Sequence, residues 1–280
     1  MQLTPEELDD FINRTLAEDI GSGDVTSDAV IPQDARLKAA FAARQHLVVA
    51  GLPLAKAIVE RVAPGSIFEE RCGDGDVIES GGIMAEVAGP ARGLLTAERS
   101  ALNILQHLSG IATLTRDYVR AIEGTGAQVL DTRKTIPGLR KLEKYAVRMG
   151  GGSNHRMGLY DAVLIKDNHI AIAGGVAPAI EAAKAHTDLK IQVECDTLAQ
   201  AEAALAAGAD SLLLDNMSND MLRGAVAFNA RRIPLEASGG VTLETVHDIA
   251  KTGVDFISVG RLTQSAPAVD IGLDFEDAGD

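Results

Sequence analysis

Apolar positions along the chain change their period twice. Near the N-terminus Leu8, Phe11, Ile12 and Leu16 fall on one face of a 3.6-residue period. The spacing predicts a helix that Thr4 caps, with Pro5 at its first position and Glu7 completing a capping box. From about Asp24 to Gly93 short β-like runs, among them LKAAFAARQHLVVAG and DVIESGGIMAEVAG, are broken by Gly, Pro and Asp, which predicts a sheet-rich half. The stretch LLTAERSALNILQHLSGIATLTRDYVRAIE returns to helical spacing through Leu102, Ile104, Leu105, Leu108, Ile111 and Leu114. It reads as a long helix, bent near Gly110, leading from a first domain into a second.

Past Gly126 apolar runs alternate with helical stretches, the pattern of βα units around a parallel sheet. The runs are AQVLDTR, DAVLIKDNH, IQVECD, SLLLDN, IPLEASGG and FISVGRL, each ending in polar or Gly-rich residues. The helices between them are Ala-rich, and LAQAEAALAAG ends in Gly208, a suitable C′ residue. Six strands fall short of eight, so the pattern predicts an open or incomplete (β/α) barrel, with a doubly wound open sheet as the structural alternative. In a barrel the polar strand ends converge on one site.

Composition narrows the function classes. The 280 residues are 46% hydrophobic and 24% charged, as in an ordinary soluble protein, and two domains suit that length. With aromatic content of 3% and no Trp, the core falls to Ala, Val, Leu and Ile. A net charge of -14 argues against general nucleic-acid binding. Cys72 and Cys195 form neither a disulfide framework nor a zinc motif, which suits a reducing cytoplasm. The N-terminal segment has neither the basic start nor the apolar run of a signal peptide or membrane span. The glycine turns around Val77 and Ile83 resemble those of lipoyl-type carrier domains, but the carrier lysine is missing.

Against the acidic average, Asp131 to His169 carries Arg133, Lys134, Arg140, Lys141, Lys144, Arg148, Arg156 and Lys166. Such a cluster suits a small polyanion, because Arg forks hold carboxylate and phosphate bidentately and Lys adds point charge. Lys141, Lys144 and Arg148, at i, i+3 and i+7, read as a solvated helix face. Arg133, Lys134 and Lys166 stand instead at strand ends. Three glycines precede Ser153, so the loop is expected to present Asn154, His155 and Arg156 while its backbone donates N–H groups. Glu194 and Asp215 end successive strands and are expected to face one cavity, as ligands of ribose hydroxyls or Mg²⁺ or as partners of the cations. EASGG and SVGRL, after the last two strands, match the phosphate site that barrels form there.

Together TAERSALN, DTRKTIPGLR, GGGSNHRMGLYDAVLIKDNH, VECD, LLLDN, LEASGG and VGRLTQSAPAVD strongly resemble the quinolinate phosphoribosyltransferase family, in order along most of the chain. The resemblance implies an α/β fold: an N-terminal α/β sandwich domain over residues 1–110, joined by the tail 270–280, and an open α/β barrel over 111–269. It implies transfer of phosphoribosyl from phosphoribosyl pyrophosphate to quinolinate with decarboxylation, in NAD synthesis. By position, Arg133, Arg156 and Lys166 resemble the carboxylate clamp with His155 beside it, and Lys134 the diphosphate ligand. Arg99 resembles an arginine lent by a neighbouring subunit. Glu194 and Asp215 fall near ribose and Mg²⁺; Ser238, Gly239, Gly240 and Gly260 fall near phosphate, with Thr132, Val259 and Arg261 also in the substrate site. Lys134, Lys166, Glu194 and Asp215 are the implied catalytic residues.

The resemblance further implies Mg²⁺ without an organic cofactor, a homodimer or hexamer with a shared site, and neither nucleic acid nor membrane as partner. The family's GxLTHS motif here carries Arg261 and Gln264, so no role for its histidine is carried over. A nicotinate-specific transferase, the molybdenum-transport-associated relative of the same architecture, and a non-catalytic carrier remain the alternatives.

Overall fold

The first helix, α1 (Pro5–Ile20), starts where its capping box dictates. Thr4 Oγ1 accepts from the Glu7 N–H at 3.2 Å, and the Thr4 N–H donates to Glu7 Oε2 at 3.0 Å. Phe11 and Ile12 are buried along its apolar face. The computed structural model describes residues 3–275. After α1 come α2 (Val25–Val30), β1 (Arg36–Ala43), β2 (Leu47–Val48), α3 (Leu52–Val62), β3 (Ile67–Glu70), β4 (Val77–Ile78), β5 (Ile83–Pro90) and α4 (Ala91–Ala121). There follow β6 (Gln128–Leu130), α5 (Arg140–Met149), β7 (Val163–Ile165), α6 (Asp167–Ala173), α7 (Val176–His186), β8 (Ile191–Cys195), α8 (Leu198–Ala206) and β9 (Ser211–Asp215). The last elements are α9 (Asn219–Asn229), β10 (Leu235–Ser238), α10 (Leu243–Ala250), β11 (Phe256–Ser258), α11 (Arg261–Gln264) and β12 (Ile271–Phe275).

Two compact units divide the chain. One takes the chain up to Leu114, Lys141–Gly151 and the chain from Ser265; the other takes Thr115–Arg140 and Gly152–Gln264. The first unit holds a four-stranded sheet in the order β12-β1-β5-β3, with β12 antiparallel to β1 from Ala39↔Phe275 to Ala43↔Ile271. Residues 276–280 of the expected tail lie outside the described residues. α4 is one helix that continues through Gly110. That glycine serves close approach: a Cβ on it would stand 2.2 Å from the Pro267 carbonyl oxygen.

Most of α5 belongs to this first unit, a segment that a boundary near residue 110 does not anticipate. Its charges are not a solvated face. Lys144 is 1% exposed, Glu143 is buried against His107 Nε2 at 3.0 Å, and Lys141 pairs with Glu7. Tyr145 donates its hydroxyl to Asp74 at 2.6 Å, and the Arg148 guanidinium lies 5.8 Å from the Tyr145 ring centroid. A 3.6-residue period of cations identifies one face of a helix, but not whether water or protein covers it.

In the second unit all six expected runs form one parallel sheet in the order β6-β11-β10-β9-β8-β7. From β7 to β11 each strand neighbours its successor, whereas β6 lies beyond β11. That progression curls in one direction and does not reverse as a doubly wound sheet does. Among the described residues no ladder joins β6 to β7; only a single bridge from Leu130 to Ser153 extends the β6 edge. The sheet is therefore an open (β/α) barrel, consistent with strands such as Leu212–Leu214 and Leu235–Ala237 being buried along their length. No helix among the described residues is long and apolar enough to cross a membrane.

Candidate active site

A cavity of about 310 Å³ opens at the C-terminal ends of the six parallel strands, and every one of them contributes to its lining. Thr132, Arg133 and Lys134 follow β6, Lys166 follows β7, and Glu194 and Asp215 come from β8 and β9. Glu236 and Ser238 come from β10, Ser258 from β11 and Gly260 from the turn after it. Its size is that of a small-molecule site.

Two arginines dominate one side. Burial chiefly, and then the charge of Arg133, hold the Arg156 guanidinium below its ordinary pKa. Among the described residues the buried Arg133 Nε has no hydrogen-bond partner, and Arg156 Nη1 donates to a neutral acceptor, the Ala162 carbonyl, at 3.1 Å. An unanswered donor beside a second cation is a receptor for negative charge. Lys166 ion-pairs with Glu194, so the next cation in the cavity is partly neutralised.

The loop before Arg156 is fixed by Asp131, which is fully buried and accepts from the His155 N–H at 2.9 Å and from the Asn154 side chain. The Arg156 N–H donates to His155 Nδ1 at 2.7 Å. Backbone N–H groups expected to meet a ligand are thus engaged within the loop, and Asn154 faces Asp131. With Nδ1 accepting, the neutral ring carries its proton on Nε2. That atom lies 3.1 Å from Gln192 Oε1 and 3.4 Å from Glu236 Oε2, while Gln192 Nε2 donates to Glu236 at 2.7 Å. Glu236 is 2% exposed, and its Oε1 has no hydrogen-bond partner among the described residues.

The glycine turns after β10 and β11 line the same cavity. Gly239 and Gly240 have φ of +94° and +61°. A Cβ at Gly239 would sit 2.1 Å from Asn216 Oδ1, whereas one at Gly240 would meet open space. Neither N–H, nor that of Gly260, has a hydrogen-bond acceptor among the described residues. Gly260 also clears the stem of Lys134, whose Cδ would come within 3.1 Å of an added Cβ. The Lys134 backbone is held by Thr263, which donates to its carbonyl at 2.7 Å.

The chain matches the family model "Quinolinate phosphoribosyl transferase, C-terminal domain" over residues 111–274 and the corresponding N-terminal domain over 24–109. A nicotinate-nucleotide pyrophosphorylase (carboxylating) from Mycobacterium leprae is 45% identical over 272 residues, 95% of this chain and 96% of that one. A probable one from Bacillus subtilis is 43% identical over 274 residues, 96% and 93% of the two chains. The solved nicotinate-nucleotide pyrophosphorylase of Francisella tularensis superposes with a TM-score of 0.94 at 38% identity, covering 98% of each chain. The chain belongs to the quinolinate phosphoribosyltransferase family.

For this member of the quinolinate phosphoribosyltransferase family, the cavity gathers twelve of the residues singled out from sequence: Thr132, Arg133, Lys134, His155, Arg156, Lys166, Glu194, Asp215, Ser238, Gly239, Gly240 and Gly260. Arg99, Val259 and Arg261 do not line it. Arg99 is exposed on α4 in the first unit. Val259 is buried, its N–H donating to the Leu130 carbonyl at 2.9 Å, and Arg261 is exposed at the start of α11. Glu236 and Ser258, expected only as members of the converging strand ends EASGG and SVGRL and given no role of their own, line the cavity as well. Strand parity identifies Glu236, because residues two apart on β10 share a face and Ser238 was already placed in the site. Among the described residues no group of three His, Cys, Asp or Glu is arranged to hold a metal.

Proposed function

We propose that this chain transfers the phosphoribosyl group of phosphoribosyl pyrophosphate to quinolinate with loss of CO2, giving nicotinate mononucleotide and pyrophosphate in NAD biosynthesis. The observation that carries the reading is the Arg133–Arg156 pair, two guanidiniums in one cavity with a buried donor left over. A pyridine bearing two adjacent carboxylates answers both. Arg133, Arg156 and Lys166 clamp it. His155, with its Nδ1 receiving the Arg156 N–H and its Nε2 facing Gln192 and Glu236, braces Arg156 from below.

Lys134 and the unengaged N–H groups of Gly239, Gly240 and Gly260 receive the phosphates, with Ser238 beside them. Glu194 and Asp215 hold the ribose hydroxyls. They also fit Mg²⁺, which takes one or two carboxylates together with water and substrate oxygens and needs no protein cage of three. Bound there, Mg²⁺ supplies charge neutralisation of pyrophosphate. Arg99 is lent by a neighbouring subunit of a homodimer or hexamer, and the enzyme works in the cytoplasm without an organic cofactor.

The bond changes follow from this arrangement. The pyridine nitrogen forms a bond to the ribose anomeric carbon as the bond to pyrophosphate breaks, and the cations of the site stabilise the departing charge. The ring nitrogen is then positive. When the bond from the adjacent ring carbon to its carboxylate breaks, CO2 leaves, the electron pair stays on that carbon beside the positive nitrogen, and a proton replaces the carboxylate. The test is product identification with quinolinate and with nicotinate as acceptor: nicotinate mononucleotide arises from quinolinate, and a preference for nicotinate refutes the reading.

A further inference from the structure

Arg140 opens α5, where the positive end of the helix dipole disfavours a cation. Its side chain nevertheless makes three hydrogen bonds, all to neutral oxygens. Nε donates to Thr135 Oγ1 at 3.0 Å, Nη2 to the Arg133 carbonyl at 3.3 Å and Nη1 to the Met157 carbonyl at 3.2 Å. Two of these acceptors are significant. One is the carbonyl of Arg133 itself, and the other belongs to the residue immediately after Arg156. A single planar guanidinium thus ties together the two backbone segments that carry the clamp arginines.

We infer that Arg140 is the positioning residue of the carboxylate clamp. It rests on the function proposed above. Arg133 and Arg156 repel each other, since the charge on one depresses the pKa of the other, and Arg133 Nε has no protein partner to hold its head in place. Their spacing in the ligand-free site must come from the backbone. Neighbouring ties agree with this: the Thr135 N–H donates to the Arg133 carbonyl at 3.0 Å, and Asp161 accepts from the Met157 and Gly158 N–H groups at 2.6 and 3.0 Å. Arg140 reaches both segments through one side chain. Lysine in its place has no planar fork, and meets these acceptors with poorer geometry. On the phosphate side Gly239, Gly240 and Gly260 make no bond to Arg140 among the described residues, whereas Lys134 stands between two of its acceptors, Arg133 and Thr135.

The test is steady-state kinetics of Arg140→Lys and Arg140→Ala, with both substrates varied and folding checked by thermal unfolding. Arg140→Lys is expected to raise the KM for quinolinate about tenfold or more and the KM for phosphoribosyl pyrophosphate by about threefold or less, since both clamp segments but only Lys134 of the phosphate ligands hang on it. Millimolar guanidinium ion is expected to restore part of the quinolinate affinity of Arg140→Ala, which loss of folding alone does not allow. If Arg140→Ala does not fold, the lysine variant decides. An unchanged quinolinate KM, or equal rises for both substrates, overturns the assignment. A wild-type enzyme that ignores quinolinate refutes the proposed function instead.

Discussion

The Arg156 guanidinium is held below its ordinary basicity first by burial and then by the charge of Arg133, so two like charges share one cavity at a standing electrostatic cost. A dianion with adjacent carboxylates removes that cost on binding. Arg133→Ala or Arg156→Ala should therefore weaken quinolinate binding by about 2 kcal/mol or more, roughly thirtyfold. Isothermal calorimetry measures it directly, and unchanged affinity in both variants removes the clamp. In the ligand-free protein Arg133→Met should raise the melting temperature, because the repulsion ends without a buried partner being orphaned.

Neighbouring glycines make a sharper contrast. Gly239→Ala forces a Cβ to within 2.1 Å of Asn216 Oδ1 at φ of +94°, whereas Gly240→Ala meets no atom within 4 Å and adopts φ of +61°. The first should cost about 1–3 kcal/mol in stability and raise the KM for phosphoribosyl pyrophosphate strongly; the second should cost about 1 kcal/mol with a smaller kinetic effect. Thermal unfolding with substrate kinetics checks both. Equal behaviour of the two variants contradicts the geometry of this turn.

The carboxylates of β8 and β9 make a separate claim. With Asp215 as the Mg²⁺ ligand proposed above, Asp215→Asn, which keeps side-chain size but not the charge, should raise the Mg²⁺ concentration for half-maximal activity about tenfold or more. A Mg²⁺ titration of activity reads this shift. If the variant keeps the wild-type Mg²⁺ dependence, Asp215 contributes no oxygen to the metal.

Away from the site, Asp24 caps α2, accepting from the Thr26 and Ser27 N–H groups and from the hydroxyls of Ser27 and Thr96. These bonds, that from the Ser27 hydroxyl foremost, lower its pKa from 3.8 to about 2. A carboxyl depressed in the folded state adds stability that is fully present above its unfolded pKa and is lost as pH falls through the folded value. The gap in melting temperature between wild type and Asp24→Asn should therefore be constant above about pH 4 and close between about pH 4 and pH 2. A gap that does not change with pH in that window contradicts the cap.

What the sequence made legible, and what it did not, follows from the reach of local patterns. The six barrel strands and the capping box of α1 are set by neighbours in the chain, and their residues announced them. Lys144 was misread because cation spacing defines a helix face without saying what covers it. The close approach at Gly110 is to the Pro267 carbonyl, 157 positions away in the chain and invisible to any local window. Glu236 was expected at a converging strand end but given no role of its own, although parity with Ser238 places its side chain in the lumen. Arg140 was one cation in a basic run until its three acceptors identified it.

The central claim is a reaction that couples two releases. With quinolinate, phosphoribosyl pyrophosphate and Mg²⁺ supplied together, one assay following CO2 and pyrophosphate should record equal amounts of both, and neither when either substrate is left out. Pyrophosphate released without CO2, or released equally well with nicotinate in place of quinolinate, contradicts the account.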